Sequence, residues 1–208
     1  MSRILPVLVV MLTVGTGHAI TANPPTSNGD FPIIVDEPTP REGPLVIDGC
    51  EIKAGASCPG IDLSHADLRG LNLSGADFSG AKMLRADLFG SELRGVNLSG
   101  ADLRGANLAM TQAQGLDASN ADLTGVDLDF ARLSGADFSG ANLTAASLEA
   151  VMAPKARFVG TRLVGSNLME AKFYNADFAE AVMEGNSAPF AIWEGVHMEN
   201  CTGCPVDW

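Results

Sequence analysis

The chain has 208 residues, a formal net charge of −12 and a pI near 4.5, a balance that argues against nucleic acid as a direct partner, because such binding draws on a basic surface. Its length suits one domain with appendages. Aromatic residues make up 6%, which suits an elongated fold whose layers bury one another better than a compact globular core.

Residues 1–22 read as a secretory signal peptide: Arg3 supplies the positive start, Ile4–Val14 is an apolar run, and small residues follow. Cleavage after Ala19 or after Ala22 fits. The run is shorter than the ~20 apolar residues of a membrane span, Pro6 would disturb a helix there, and no Cys follows it to carry a lipid. The expectation is export, to a periplasm, the extracellular space or a lumen, with no stable membrane anchor after cleavage; a retained anchor is the alternative. Residues 23–45 are rich in Pro, Thr, Ser and acidic residues and read as an extended linker. Residues 46–60, with Ile47, Cys50, Ile52 and Cys58, read as an irregular first coil capping an open end.

From residue 61 to 200 the chain repeats every five residues. Taking the large apolar residue as the centre of each unit, centres run from Leu63 to Met198 in steps of five, which makes 28 units; 24 carry Leu, Phe, Met or Trp, the exceptions being Ala113, Ala118, Ala153 and Ala188. A step of five scatters side chains around an α-helix and alternates them across a flat strand. A bend in every unit brings all centres to a common axis instead. The residue two before the centre, usually Ala, Ser, Thr or Val, then points inward as well. Phe78, Phe138, Phe158 and Phe178 differ by multiples of twenty, so four units make one coil and 28 units make seven. At ~4.8 Å per layer the rod is roughly 30 Å long. The fold class expected is all-β: a quadrilateral β-helix of about seven coils with N- and C-terminal caps.

The repeated units, such as ADLRG LNLSG ADFSG at residues 66–80, resemble the pentapeptide-repeat family. The resemblance implies a right-handed quadrilateral β-helix. It also implies an alternative function, since some members are acidic DNA mimics that bind type II topoisomerases and counter quinolones. An export signal and the basic residues Lys82, Arg132, Arg157, Arg162 and Lys172 depart from that pattern.

The cysteines form two close pairs, Cys50/Cys58 and Cys201/Cys204, near opposite ends of the repeat tract. With an export signal they read as disulfides; zinc ligation and a redox CxxC are the competing assignments. The tail 201–208 closes the chain. No set of groups suited to catalysis assembles, since His65 and His197 lie near opposite ends of the tract. No cofactor or metal is expected. Acidic or Asn residues form rows before the centres: Asp67, Asp87, Asn107 and Asp127 on one side, Asp77, Asn97, Asp117 and Asp137 on the opposite one. They read as bend-forming residues, with cation binding or phosphate mimicry as the alternatives. Outward apolar residues concentrate in the C-terminal half: Phe130, Val159, Val164, Met169, Tyr174, Phe190 and Ile192. They predict a contact surface, for a homodimer or beneath the tail. The function expected is a non-catalytic, exported scaffold or protein-binding module whose partner is an unknown protein, with the DNA-mimic rod and an extracellular cation binder as alternatives.

Overall fold

The computed structural model describes residues 43–205; residues 1–42, where the signal peptide and most of the linker are expected, and the last three residues lie outside them. Two short strands open the described chain, β1 (Val46–Ile47) and β2 (Cys50–Glu51), paired antiparallel with Ile47 opposite Cys50. Asp48 and Gly49 join them with φ of 47° and 78°, the two left-handed positions of a tight hairpin turn.

Parallel backbone pairing takes over next. It joins Ser57 to Asp77 and recurs every five residues to Val182 and Thr202, always with an offset of twenty. The coil is therefore four-sided and twenty residues long. The cap expected over residues 46–60 divides accordingly: the hairpin is distinct, but from Gly55 onward the chain already follows the repeat, with positive φ at Gly55 and Gly60 and inward Ala56 and Cys58. The ladder also passes residue 200, ending at Thr202. Cys58 occupies a centre position, where a small residue suffices next to the end of the coil stack.

Backbone hydrogen bonding explains the motif. Leu63 N donates to Lys82 O in the next coil (2.7 Å), Lys82 N donates back to Ile61 O (2.9 Å), and Gly60 N donates to Ser79 O (2.8 Å). Ala66 N donates to Leu63 O (3.1 Å); with positive φ only at the third residue of that turn, the corner is a type II turn. One donor per unit remains, the N–H after the centre. The Asp or Asn before the centre accepts it: Ser64 N on Asp62 Oδ1, Ser79 N on Asp77, Ser119 N on Asp117, each at 3.0 Å. All five N–H groups are then satisfied, as a tightly wound chain requires. In four of the units that lack this acceptor, the chain compensates. Pro59, Pro154 and Pro189 stand after centres preceded by Ser57, Met152 and Ser187, and proline both lacks the N–H and suits that turn position. Beside Ser147, the Glu149 N–H turns to Asp129 Oδ1 in the coil below (2.9 Å).

The interior is filled as the alternation of large and small residues requires. Phe158 stacks between Phe138 and Phe178 (centroids 5.2 and 4.5 Å), and Phe173 meets Phe178 edge-on. Trp193 lies over Phe173 (4.7 Å) and is 4% exposed. Polar residues at the small inward position return their hydroxyls to the coil below: Ser91 to Leu68 O, Thr161 to Phe138 O and Ser166 to Leu143 O.

Candidate interaction surface

Every corner has the same place for an outward residue, the left-handed position two after the centre. From residue 55 to 200 all of these positions have positive φ. Gly supplies many, because it adopts that conformation without steric cost. Others carry large side chains, among them Met110 and Phe130 at φ 59° and Phe190 at φ 61°. A non-glycine residue there costs about 1–2 kcal/mol, and apolar side chains held in water at such a position point to a use for them.

The twenty-residue coil decides which of these residues are neighbours. Positions 89/90, 109/110, 129/130, 149/150, 169/170 and 189/190 stack along one corner, and the face that follows carries Gln112, Arg132, Met152, Lys172 and Ile192. Apart from Val46 at the hairpin, the large apolar residues most exposed among those described all fall here: Phe89 (42%), Met110 (53%), Phe130 (57%), Met152 (37%) and Phe190 (82%). They form an apolar ridge along the rod, dense from residue 89 to 152 and resumed at 190.

The ridge revises the contact surface expected from sequence. Phe130, Met169, Phe190 and Ile192 lie on this corner and its following face, whereas Val159, Val164 and Tyr174 stand on the other three corners and are half-buried. Residues five apart step round the coil, so a run of apolar residues along the sequence encircles the rod rather than forming a patch. Phe89, Met110 and Met152 were missed; comparison of outward positions in steps of twenty, as was applied to the inward phenylalanines, would have found them.

One flank of the ridge is acidic, with Asp127, Asp129 and Glu149, while Glu170 interrupts the ridge itself between Ala150 and Phe190; the following face carries Arg132 and Lys172 and the next corner Lys155. Elsewhere several basic residues pair locally, Arg69 with Asp67 (2.9 Å), Arg94 with Glu92 (3.1 Å) and Arg104 with Asp102 (2.6 Å), whereas among the described residues Lys82, Arg85 and Arg162 do not. The side-chain bonds to Asp67 and Asp102 hold the Arg69 and Arg104 guanidiniums even more firmly protonated than usual, and the Arg104 bond draws the Asp102 carboxyl below its ordinary range. Asp62 is lowered by its bonds from Ser64.

The Asp and Asn rows are built into the turns, as described above, and Asn also ties coil to coil: Asn97 Nδ2 donates to Asp77 Oδ1 (3.0 Å) and Asn107 Nδ2 to Asp87 Oδ1 (3.1 Å). Among the described residues no group of three or more His, Cys, Asp and Glu is placed to hold a metal ion, and no helix is long and apolar enough to cross a membrane. Cys50 is disulfide-bonded to Cys58 and Cys201 to Cys204, with Cα atoms 6.4 and 5.9 Å apart.

Comparison with known proteins agrees with this construction. The family model for pentapeptide repeats matches residues 54–85, 83–115, 121–151 and 155–185, with eight copies. HetL of the cyanobacterium Nostoc sp., a pentapeptide repeat protein involved in heterocyst differentiation regulation, is 30% identical over 68% of this chain and 71% of its own, with a TM-score of 0.32. QnrB1, a plasmid-mediated fluoroquinolone resistance protein, is 20% identical over 70% of this chain and 80% of its own (TM-score 0.42). A pentapeptide repeat protein of the Arabidopsis thaliana thylakoid lumen is 29% identical over 48% of this chain and 70% of its own (TM-score 0.31). No curated protein sequence matches significantly. With the family model covering more than half of its length and a β-helix built on the same five-residue unit, the chain belongs to the pentapeptide-repeat family.

Proposed function

We propose that the protein is an exported, non-catalytic rod that binds a protein partner through the apolar corner. In this reading residues 1–22 are a cleaved signal, 23–45 a spacer, and the rod closes about seven coils between a disulfide-bonded hairpin cap and the 201–208 tail. The observation that carries it is the ridge from Phe89 to Met152: bulky apolar residues exposed to water along one corner and its following face, two of them, Met110 and Phe130, accepted in a strained turn position.

Mimicry of DNA is the weaker account. Residues 61–200 carry ten basic against eighteen acidic side chains, a balance of −8, spread over roughly 30 Å at ~4.8 Å per coil. Duplex DNA carries about one charge per 1.7 Å, more than twice that density, and the carboxylates before the centres are committed to the turns.

Two measurements test the proposal. The intact mass of the protein from its native cell fraction, without reductant, should show loss of the leader and two disulfides; a full-length chain with four free thiols would overturn export. A photo-cross-linking residue at position 130 should capture a protein in that fraction, while one at Asn120, the equivalent place on the opposite corner, should not. Equal capture from both would remove the ridge as the contact surface.

A further inference from the structure

We propose that the occupant of the ridge is a second copy of the chain, in a dimer whose two rods run parallel about a two-fold axis along their length. The proposal rests on the reading of the corner as a contact surface and adds the partner's identity and orientation.

The argument comes from the flanks. Within one coil the corner is followed directly by the next face, so Asp129 and Arg132 stand at the same level, and Glu149 and Lys155 at the level one coil on. Arg132, Lys155 and Lys172 make no ion pair among the described residues, in contrast to Arg69, Arg94 and Arg104. Asp129 and Glu149 accept hydrogen bonds from Ser147 and Asn167, neither of them a cation. Each flank thus carries uncompensated charge of one sign, level with the other.

Symmetry then selects the orientation. A two-fold axis along the rods brings the acidic flank of each copy against the basic flank of the other, on both sides of the apolar seam. An axis perpendicular to the rods brings acid onto acid and base onto base, which charge complementarity disfavours. The parallel arrangement also sets Met110 beside Met110 and Phe130 beside Phe130, with Glu170 beside Glu170 as a like-charge contact beyond the dense part of the seam. An apolar centre with a charged rim is the usual anatomy of such contacts.

Sedimentation equilibrium of the purified chain tests it. The expected result is a dimer at micromolar concentration. Met110→Asn with Phe130→Asn should convert it to a monomer that still unfolds cooperatively, since Asn suits the left-handed turn position, with a melting temperature that no longer depends on concentration. Lys155→Glu alone should weaken the dimer about tenfold, and Glu149→Lys added to it should restore the affinity. A monomeric wild type, a dimer that survives the double Asn change, or a Lys155→Glu dimer that is unchanged or tighter would overturn the proposal. The last outcome is what an antiparallel pair gives. Cross-linking from position 130 to a different protein, with the wild type monomeric, would sink the dimer and leave the contact surface standing.

Discussion

The side-chain amide of Asn186 replaces a turn hydrogen bond in the coil beneath it: Nδ2 donates to Leu163 O at 2.9 Å and Oδ1 accepts from Ser166 N at 2.8 Å. In the other units, that of Met183 and Asn186 excepted, the N–H and carbonyl bond each other directly, as Ala141 N does to Phe138 O. Asn186 stands where Ala is usual, and the corner opens by one amide group to admit it. Gly203, one coil on from Met183 at the centre position, would meet Met183 O at 2.7 Å if it carried a Cβ.

The insertion predicts an unusual order of substitutions. Asn186→Ala lets Ser166 N–H return to the Leu163 carbonyl and should cost under ~1 kcal/mol. Asn186→Asp keeps the acceptor but sets a carboxylate against that carbonyl, and should cost ~1–3 kcal/mol. Urea denaturation distinguishes them; equal costs would mean the amide is not bonded as described.

Corner glycines and their replacements should respond in opposite directions. Ala145 and Ala150 have φ of 57° and 52°. Changing either to Gly relieves about 1–2 kcal/mol of left-handed strain and gives back part of it as unfolded-chain entropy, for a net gain of ~0.5–1 kcal/mol. Gly125, at φ 67° with no atom near its missing Cβ, should lose ~1 kcal/mol on change to Ala. Thermal melts of the three variants check both signs.

The core predicts a large cost at the centre of the aromatic stack. Phe158 touches rings above and below and a third edge-on, so Phe158→Ala should cost ~3–5 kcal/mol through the cavity left. Arg69→Ala, at a half-exposed surface pair, should cost no more than ~1 kcal/mol.

His197 gives the C-terminal end a pH dependence. Its Nδ1 lies 2.9 Å from Asp177 Oδ1 and its Nε2 3.6 Å from Glu199, and the bond to Asp177 raises the imidazole above its ordinary value. Burial opposes ionisation of Asp177, but the Ala179 N–H and the imidazole outweigh it and lower that carboxyl. A raised folded-state histidine stabilises fully below its unfolded pKa of ~6.5 and loses that contribution as pH rises through the folded value. The lowered carboxyl stabilises above its unfolded pKa and loses that as pH falls through its folded value. Melting temperature of the wild type minus that of His197→Gln should therefore decline as pH rises past ~6.5; a flat difference would show that the pair does not form.

The disulfide at the N-terminal end closes the hairpin onto the first regular turns. Replacing Cys50 and Cys58 together by Ser should cost ~2–3 kcal/mol by the chain-entropy account of a short loop. Hydrogen exchange should localise the loss to the first coils, since stability in a stacked array is carried by neighbours.

Much of the fold was legible because it rests on local chemistry. The five-residue period, the small residue two before each centre and the Asp or Asn before it each meet one requirement of one turn, and those requirements are written within a unit. Less visible were the exceptions. Nothing adjacent to Asn186 marks it as a clamp on residues twenty-three positions earlier, and no local signal says that Met110 or Phe130 accepts the conformation for which glycine is usual.

The sequence by itself determined which side chains face the axis and which face water, because inward and outward positions alternate within each bend. Only the tertiary structure decided which outward side chains are neighbours. Residues five apart are carried to successive corners, and residues twenty apart are stacked about one layer spacing from each other. Val159, Val164 and Tyr174 were thereby dispersed, while Phe89, Met110, Phe130 and Met152 were gathered into the ridge between an acidic and a basic flank.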